Sequence, residues 1–144
     1  MSIEEILATV GLFSEMPRRD LSRLAKLAVR KAHKAGEVIV REGDLGIAFY
    51  AVGSGKVEVV KALGTPNELV LAALGPGDFF GEMALFENQV RNSSVRAVTD
   101  CECIMLTKWD FNAEVNTPGS RVAVAMLPIL FRRIRALDEA AATH

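Results

Sequence analysis

Between Val29 and Leu106 the apolar residues fall in short alternating or continuous runs, most of them separated by glycine or proline, whereas both ends of the chain carry them at helical spacing. Alternation sends successive side chains to opposite faces of a strand, and three-to-four spacing gathers them on one face of a helix. The pattern predicts strands near 29–34, 37–41, 47–53, 55–61, 68–74, 92–98 and 101–107, with a short eighth at Phe79. Gly43-Asp44, Gly53-Ser54-Gly55, Gly64-Thr65-Pro66-Asn67 and Gly75-Pro76-Gly77-Asp78 supply the turns between them.

At the N-terminal end, Ser2 is placed to cap a short helix running through Leu7 and Ala8, with Glu4 and Glu5 in its first turn, and Gly11 breaks it. Leu12-Phe13 forms an apolar anchor, and Pro17 opens a second helix in which Leu21, Leu24, Ala25 and Ala28 keep helical spacing. Beyond the strands, Lys108 to Val115 form one or two helical turns, stopped by Asn116-Thr117-Pro118-Gly119. A longer helix is expected from about Pro118 to Ala141. Val122, Leu127, Leu130, Ile134 and Leu137 occupy its apolar face, Arg132, Arg133 and Arg135 lie outside that face as a solvated set, and Pro128 removes a backbone bond near Val124. The fold class is therefore mainly β with flanking helices: an eight-stranded antiparallel β-roll, jelly-roll-like, with N-terminal helices, a short cassette helix and a long C-terminal helix.

Composition narrows the function classes. With 144 residues, 50% apolar and 24% charged, the chain has the length of one domain, and no apolar run approaches the roughly 20 residues of a membrane span. The start, Met-Ser-Ile-Glu-Glu, lacks a basic region ahead of an apolar one, so no signal peptide is expected. A net charge of −1 supplies no basic field for a nucleic acid polymer, so no nucleic acid partner is expected for this chain. Cys101 and Cys103 alternate on a strand, share a face, and read as buried small hydrophobes in a reducing, cytoplasmic compartment. With His33 and His144 the only histidines, no metal site is expected. No histidine stands near a nucleophile, and Ser93 and Ser94 have no base partner in sequence, so the chain does not read as an enzyme.

The chemistry concentrates between Gly75 and Ala97. Gly81 gives a position without a side chain, and the good helix formers Glu82 to Leu85 can start a helical turn whose first amides have no acceptor within it. Such amides carry partial positive charge and suit a small anion. Arg91 adds a planar fork of donors that matches two phosphate oxygens. The carboxylate of Glu82 would repel a phosphate but accept from a sugar hydroxyl. Cation, acid and helix start together describe a ribose phosphate. The same residues also admit an ordinary surface ion pair, with Gly81 merely turning the chain.

Phe80-Gly81-Glu82-Met83-Ala84-Leu85 followed by Arg91-Asn92-Ser93-Ser94-Val95 resembles the phosphate-binding cassette of the cyclic nucleotide-binding domain family. The glycine-punctuated strands Gly36-Glu37-Val38-Ile39-Val40-Arg41-Glu42-Gly43-Asp44 and Phe49-Tyr50-Ala51-Val52-Gly53-Ser54-Gly55-Lys56-Val57 resemble the same family, and the likeness extends over about Phe13 to Leu137. Val90 stands where the family often has proline, and Asn92 and Ser93 fill two positions where it often has alanine or threonine. The resemblance implies a single cyclic nucleotide-binding domain over 1–144: N-terminal helices in 1–28, a β-roll in 29–107 with its cassette at 80–94, and C-terminal helices in 108–144. It implies cAMP or cGMP as ligand, cAMP favoured, with no metal. Arg91 would pair with the cyclic phosphate, the amides of Glu82, Met83 and Ala84 would line it, and Glu82 with Gly81 would hold the 2′-hydroxyl. Asn92 and Ser93 would donate to phosphate or purine, while Val52, Leu74 and Phe80 complete the ligand-binding set, Val52 and Leu74 packing the base together with the C-terminal helix. That helix would close over the ligand, signal to an effector protein or domain, and offer a homodimer contact. Such a module is either a freestanding sensor or a fragment. The alternative is a degenerate module that binds no nucleotide and serves as a dimerisation or docking scaffold.

Overall fold

The computed structural model describes the backbone of residues 1–142 and side-chain burial through residue 136. Three N-terminal pieces come first: α1 (Ile3–Thr9), a 3₁₀ turn (Gly11–Phe13) and α2 (Arg18–Leu27). Eight strands follow: β1 (Val29–His33), β2 (Val38–Val40), β3 (Ala48–Ser54), β4 (Val57–Lys61), β5 (Leu69–Leu74), β6 (Phe79–Phe80), β7 (Ser94–Ala97) and β8 (Cys101–Thr107). A second 3₁₀ turn (Glu82–Leu85) separates β6 from β7, and α3 (Lys108–Val115) and α4 (Val122–Ala142) close the described chain. The strands form two four-stranded antiparallel sheets, ordered β1-β8-β3-β6 and β2-β7-β4-β5. This is the expected β-roll with flanking helices.

The reason for continuous rather than alternating apolar runs in β3 and β8 is that both faces of these central strands are covered. Phe49, Ala51, Ile104 and Leu106 meet the helices in one core, which also holds Leu7, Leu12, Phe13, Leu24, Phe111 and Met126. Val52, Cys101 and Cys103 turn the other way, into a core inside the roll with Val57, Phe80, Val95 and Ala97. Each fully buried aliphatic or aromatic side chain contributes roughly 1.5–3 kcal/mol, so the two cores fix the sheets that carry the site.

Local signals account for the element ends. Ser2 Oγ accepts from the Glu5 amide at 3.1 Å while the Glu5 carboxylate accepts from the Ser2 amide at 3.2 Å, a reciprocal cap on α1. These bonds to Ser2 hold the Glu5 carboxyl below its ordinary range. Thr107 Oγ1 caps α3 by accepting from Asp110 N. The long helix starts at Val122 rather than Pro118, because Thr117 to Ser120 form a turn with Gly119 at φ +81°, and Ser120 Oγ then accepts from Val122 N at 3.3 Å. Pro128 lies inside α4 as expected. The expected apolar position Leu137 falls outside the residues whose side chains are described.

Candidate functional site

After β6 the chain reverses at Gly81, whose φ of +80° is open to glycine and strained for any residue with a Cβ. A Cβ there would stand 2.5 Å from Arg91 Nη1 and 2.8 Å from the Ala48 carbonyl oxygen. The absent side chain is therefore what lets the guanidinium lie against the backbone. Arg91 Nη2 donates to Ala48 O at 2.7 Å. Its own main chain is pinned to the loop after β2: Arg91 N donates to Asp44 O at 2.7 Å, and Gly43 N donates to Arg91 O at 2.9 Å.

One of the five N–H donors of Arg91 is thus spent on β3, which fixes the plane of the guanidinium and leaves others for a ligand. Burial pushes its pKa down, opposed by the neighbouring Tyr50 and Glu82, and the group remains a cation. Tyr50 stacks on Phe80 with ring centroids 4.9 Å apart, and burial raises its hydroxyl pKa against the pull of Arg91. Among the described residues no carboxylate is in salt-bridge contact with this half-buried cation; an unpaired charge there is costly, and a bound anion offsets that cost.

A cavity of about 230 Å³ opens beside this cation. Gly81, Glu82, Met83 and Ala84 form one wall, Phe80 and the valines Val40, Val59 and Val95 give it an apolar floor, and Asn92 and Ser93 stand at the rim beside Arg91. Eight of the sequence-derived site residues, Phe80, Gly81, Glu82, Met83, Ala84, Arg91, Asn92 and Ser93, therefore share one cavity.

Val52 and Leu74, expected to pack the base, do not line this cavity, although both pack in the roll core with Phe80 and Val95. Val52 is fully buried in the roll interior, and Leu74 borders a separate cavity with Ile129, Arg132 and Arg133. Val59 and its register partner Val95 line the cavity where those two residues do not. The sequence predicted a strand at 55–61 but singled out no side chain of it for the site.

The expected short cassette helix is a single 3₁₀ turn, Glu82–Leu85. As a 3₁₀ turn it closes between residues three apart, so the Ala84 amide is spent on the Gly81 carbonyl at 3.1 Å. Among the described residues, the amides of Glu82 and Met83 donate to no protein group.

A further contact reaches the site from α4. Arg133 Nη1 lies 3.2 Å from Glu82 Oε1, and the guanidinium sits 4.9 Å over the centroid of the Phe79 ring. Among the described residues no α4 side chain lines the 230 Å³ cavity, and Arg133 is the described α4 side chain that meets Glu82. The sequence placed Arg133 among solvated charges, and nothing in its spacing pointed to Glu82.

Other chemistry is not assembled nearby. Among the described residues no group of three or more His, Cys, Asp or Glu can hold a metal ion, and no helix is long and apolar enough to cross a membrane. Cys101 and Cys103 are buried free thiols, with Cys103 pushed up by burial to about 12, which leaves it protonated and unreactive at neutral pH.

The family profile described as "Cyclic nucleotide-binding domain" matches residues 30–117, well over half of the chain and including the whole cavity. The chain belongs to the cyclic nucleotide-binding domain family. Among curated relatives of this family, the cyclic AMP receptor protein of Thermus thermophilus is 38% identical over 109 residues, covering 76% of this chain and 50% of that protein. The cAMP-dependent protein kinase regulatory subunit of Schizosaccharomyces pombe is 33% identical over 112 residues, covering 78% of this chain and 26% of its own length. The chain thus spans between a quarter and a half of these relatives. Among solved structures, the N-terminal domain of a transcriptional regulator from Streptomyces coelicolor superposes with a TM-score of 0.79 at 28% identity, with 90% of each chain covered.

Proposed function

We propose that the chain is a regulatory module that binds a cyclic mononucleotide in the 230 Å³ cavity, with cAMP favoured over cGMP, and that it is not an enzyme. The observation that carries this reading is the half-buried Arg91 cation, anchored to Ala48 and laid over Gly81 with donors to spare. A cyclic phosphate carries one negative charge and two exocyclic oxygens, which matches the guanidinium fork. The amides of Glu82 and Met83 add donors on the same side. Glu82 accepts from the ribose 2′-hydroxyl, and the valine floor with Phe80 takes apolar surface of the nucleoside. The preference for cAMP rests on relatives whose names carry it, the two described above among them.

Arg133 links the site to α4. A ribose hydroxyl arriving at Glu82 shares or displaces the Arg133 contact, so occupancy biases where α4 sits by the difference in affinity between its two positions. Val124, Leu127, Phe131 and Ile134 are each about half exposed and follow a three-four-three spacing along α4, which supports a homodimer through that helix or an effector docked on it. The residue range 1–144 acts as one domain in this reading.

One observation favours a second reading, in which the module is a scaffold that binds no nucleotide: Glu82 already holds Arg133, so the chain's own side chain occupies the group that would read the ribose. Isothermal titration of the protein with cAMP and cGMP decides between them. Micromolar binding that falls roughly a hundred-fold in Arg91→Ala, about 3 kcal/mol, supports the sensor. No heat with either nucleotide at millimolar concentration supports the scaffold.

A further inference from the structure

We infer that Lys61 is a positioning residue for the anion end of the cavity, an inference that rests on the nucleotide-binding reading above. β4 lines the cavity through Val59 and carries Lys61 two residues on. Lys61 Nζ donates to the carbonyl oxygen of Asn92 at 2.6 Å, one peptide beyond Arg91. A trans peptide is planar with its N–H opposed to its C=O, so fixing the Asn92 carbonyl also fixes the direction of the Ser93 amide. Among the described residues neither the Asn92 amide nor the Ser93 amide donates to a protein group, and both residues line the cavity.

The lysine is itself held from the opposite side. Glu42 Oε2 lies 3.4 Å from Lys61 Nζ, while Glu42 Oε1 accepts from the Ala62 amide at 3.0 Å. Ala62 sits at φ +56°, an uncommon conformation for a residue with a Cβ, and its bond to Glu42 secures the turn that leads out of β4. The Glu42 amide donates to Ser94 Oγ at 2.9 Å, tying the same group to the first residue of β7. Lys61 therefore joins β4, the loop after β2 and the exit of the cassette at the point where Asn92 and Ser93 present their amides. Its ammonium also adds positive potential beside Arg91, partly offset by Glu42.

The test compares wild type, Lys61→Met and Lys61→Arg by isothermal titration with cAMP and with cGMP, each variant first checked for a native thermal transition. Lys61 is about half exposed, so the expected loss in Lys61→Met is roughly three- to ten-fold rather than the larger value of a buried charge-assisted bond. The loss is equal for the two nucleotides, because the residue acts on the phosphate end they share, and Lys61→Arg restores most of it by donating to the same carbonyl. The amide resonance of Ser93 shifts in Lys61→Met and returns in Lys61→Arg, even without ligand. Unchanged affinity in Lys61→Met, or a loss confined to one nucleotide, overturns the inference while leaving the nucleotide-binding reading intact. Absence of binding by wild type overturns that reading and this inference with it.

Discussion

Replacing Gly81 by alanine separates two demands that coincide at that position. The backbone demand is the left-handed φ of +80°, which costs an L-residue roughly 1–2 kcal/mol. The contact demand is the 2.5 Å approach to Arg91 Nη1 and the 2.8 Å approach to the Ala48 carbonyl. The guanidinium end can swing away, but the Ala48 oxygen belongs to a central strand and cannot yield without disturbing β3. Overpacking of this kind costs typically about 1–3 kcal/mol. Gly64 provides the control: its φ is +78°, yet a Cβ there meets nothing within 4 Å. Gly64→Ala should lose the backbone increment alone. Gly81→Ala should lose a further increment of about 1–3 kcal/mol, a Tm lower than that of Gly64→Ala by roughly 3–12 °C for a chain of this size. Nucleotide titration reads the second consequence. Once displaced from Ala48, Arg91 no longer holds its plane, so Gly81→Ala binds cAMP at least ten-fold more weakly while Gly64→Ala binds as wild type does. Equal loss of Tm in the two variants, or full affinity in Gly81→Ala, refutes the claim that the bare Cα is what seats the guanidinium.

Arg133→Ala removes a partly exposed ion pair and a cation–ring contact, so stability falls by about 1 kcal/mol or less, while freeing Glu82 raises cyclic nucleotide affinity a few-fold by titration; a fall in affinity contradicts competition at that carboxylate. The raised thiol of Cys103 makes stability pH-dependent in alkali. An unfolded thiol ionises near pH 9 while the folded one stays protonated to about 12, so the unfolded chain binds fewer protons in that window and stability falls as pH rises through it. Denaturant titrations from pH 8 to pH 11 should show a smaller decline in Cys103→Ala than in wild type, and equal declines refute the assignment. On α4, Phe131→Asp places a charge in the half-exposed apolar stripe, and sedimentation should show a wild-type dimer becoming monomeric; a monomeric wild type contradicts the dimer contact.

How far this architecture is readable from the chain depends on the range of the interaction that fixes each part. Glycine-bounded runs marked β3 and β4 closely, and apolar runs on either side of Thr99-Asp100 marked β7 and β8, because turn chemistry and alternation act over a few residues. Gly81, Glu82 and Arg91 were legible for a similar reason: they sit ten residues or fewer apart in one loop-and-turn segment. The Arg133–Glu82 contact was not, since it joins α4 to the cassette across the fold and resembles any other charge on a helix face. Val52 shows a different limit. Its apolar strand position was plain, but β3 is covered on both faces, and alternation does not say which covered face borders a cavity. The early spending of the Ala84 amide follows from the 3₁₀ closure after Gly81, which helix propensity does not distinguish from an α-turn.

In the proposed reading Arg91 is the anion receptor for a cyclic phosphate. Isothermal titration of wild type and Arg91→Ala with cAMP, alongside 5′-AMP as the ring-opened comparison, tests it most directly. The expected result is micromolar binding of cAMP by wild type, weaker binding of 5′-AMP, whose doubly charged phosphate lacks the fused ring, and a loss of about a hundred-fold in Arg91→Ala. Equal cAMP affinity in wild type and Arg91→Ala contradicts it.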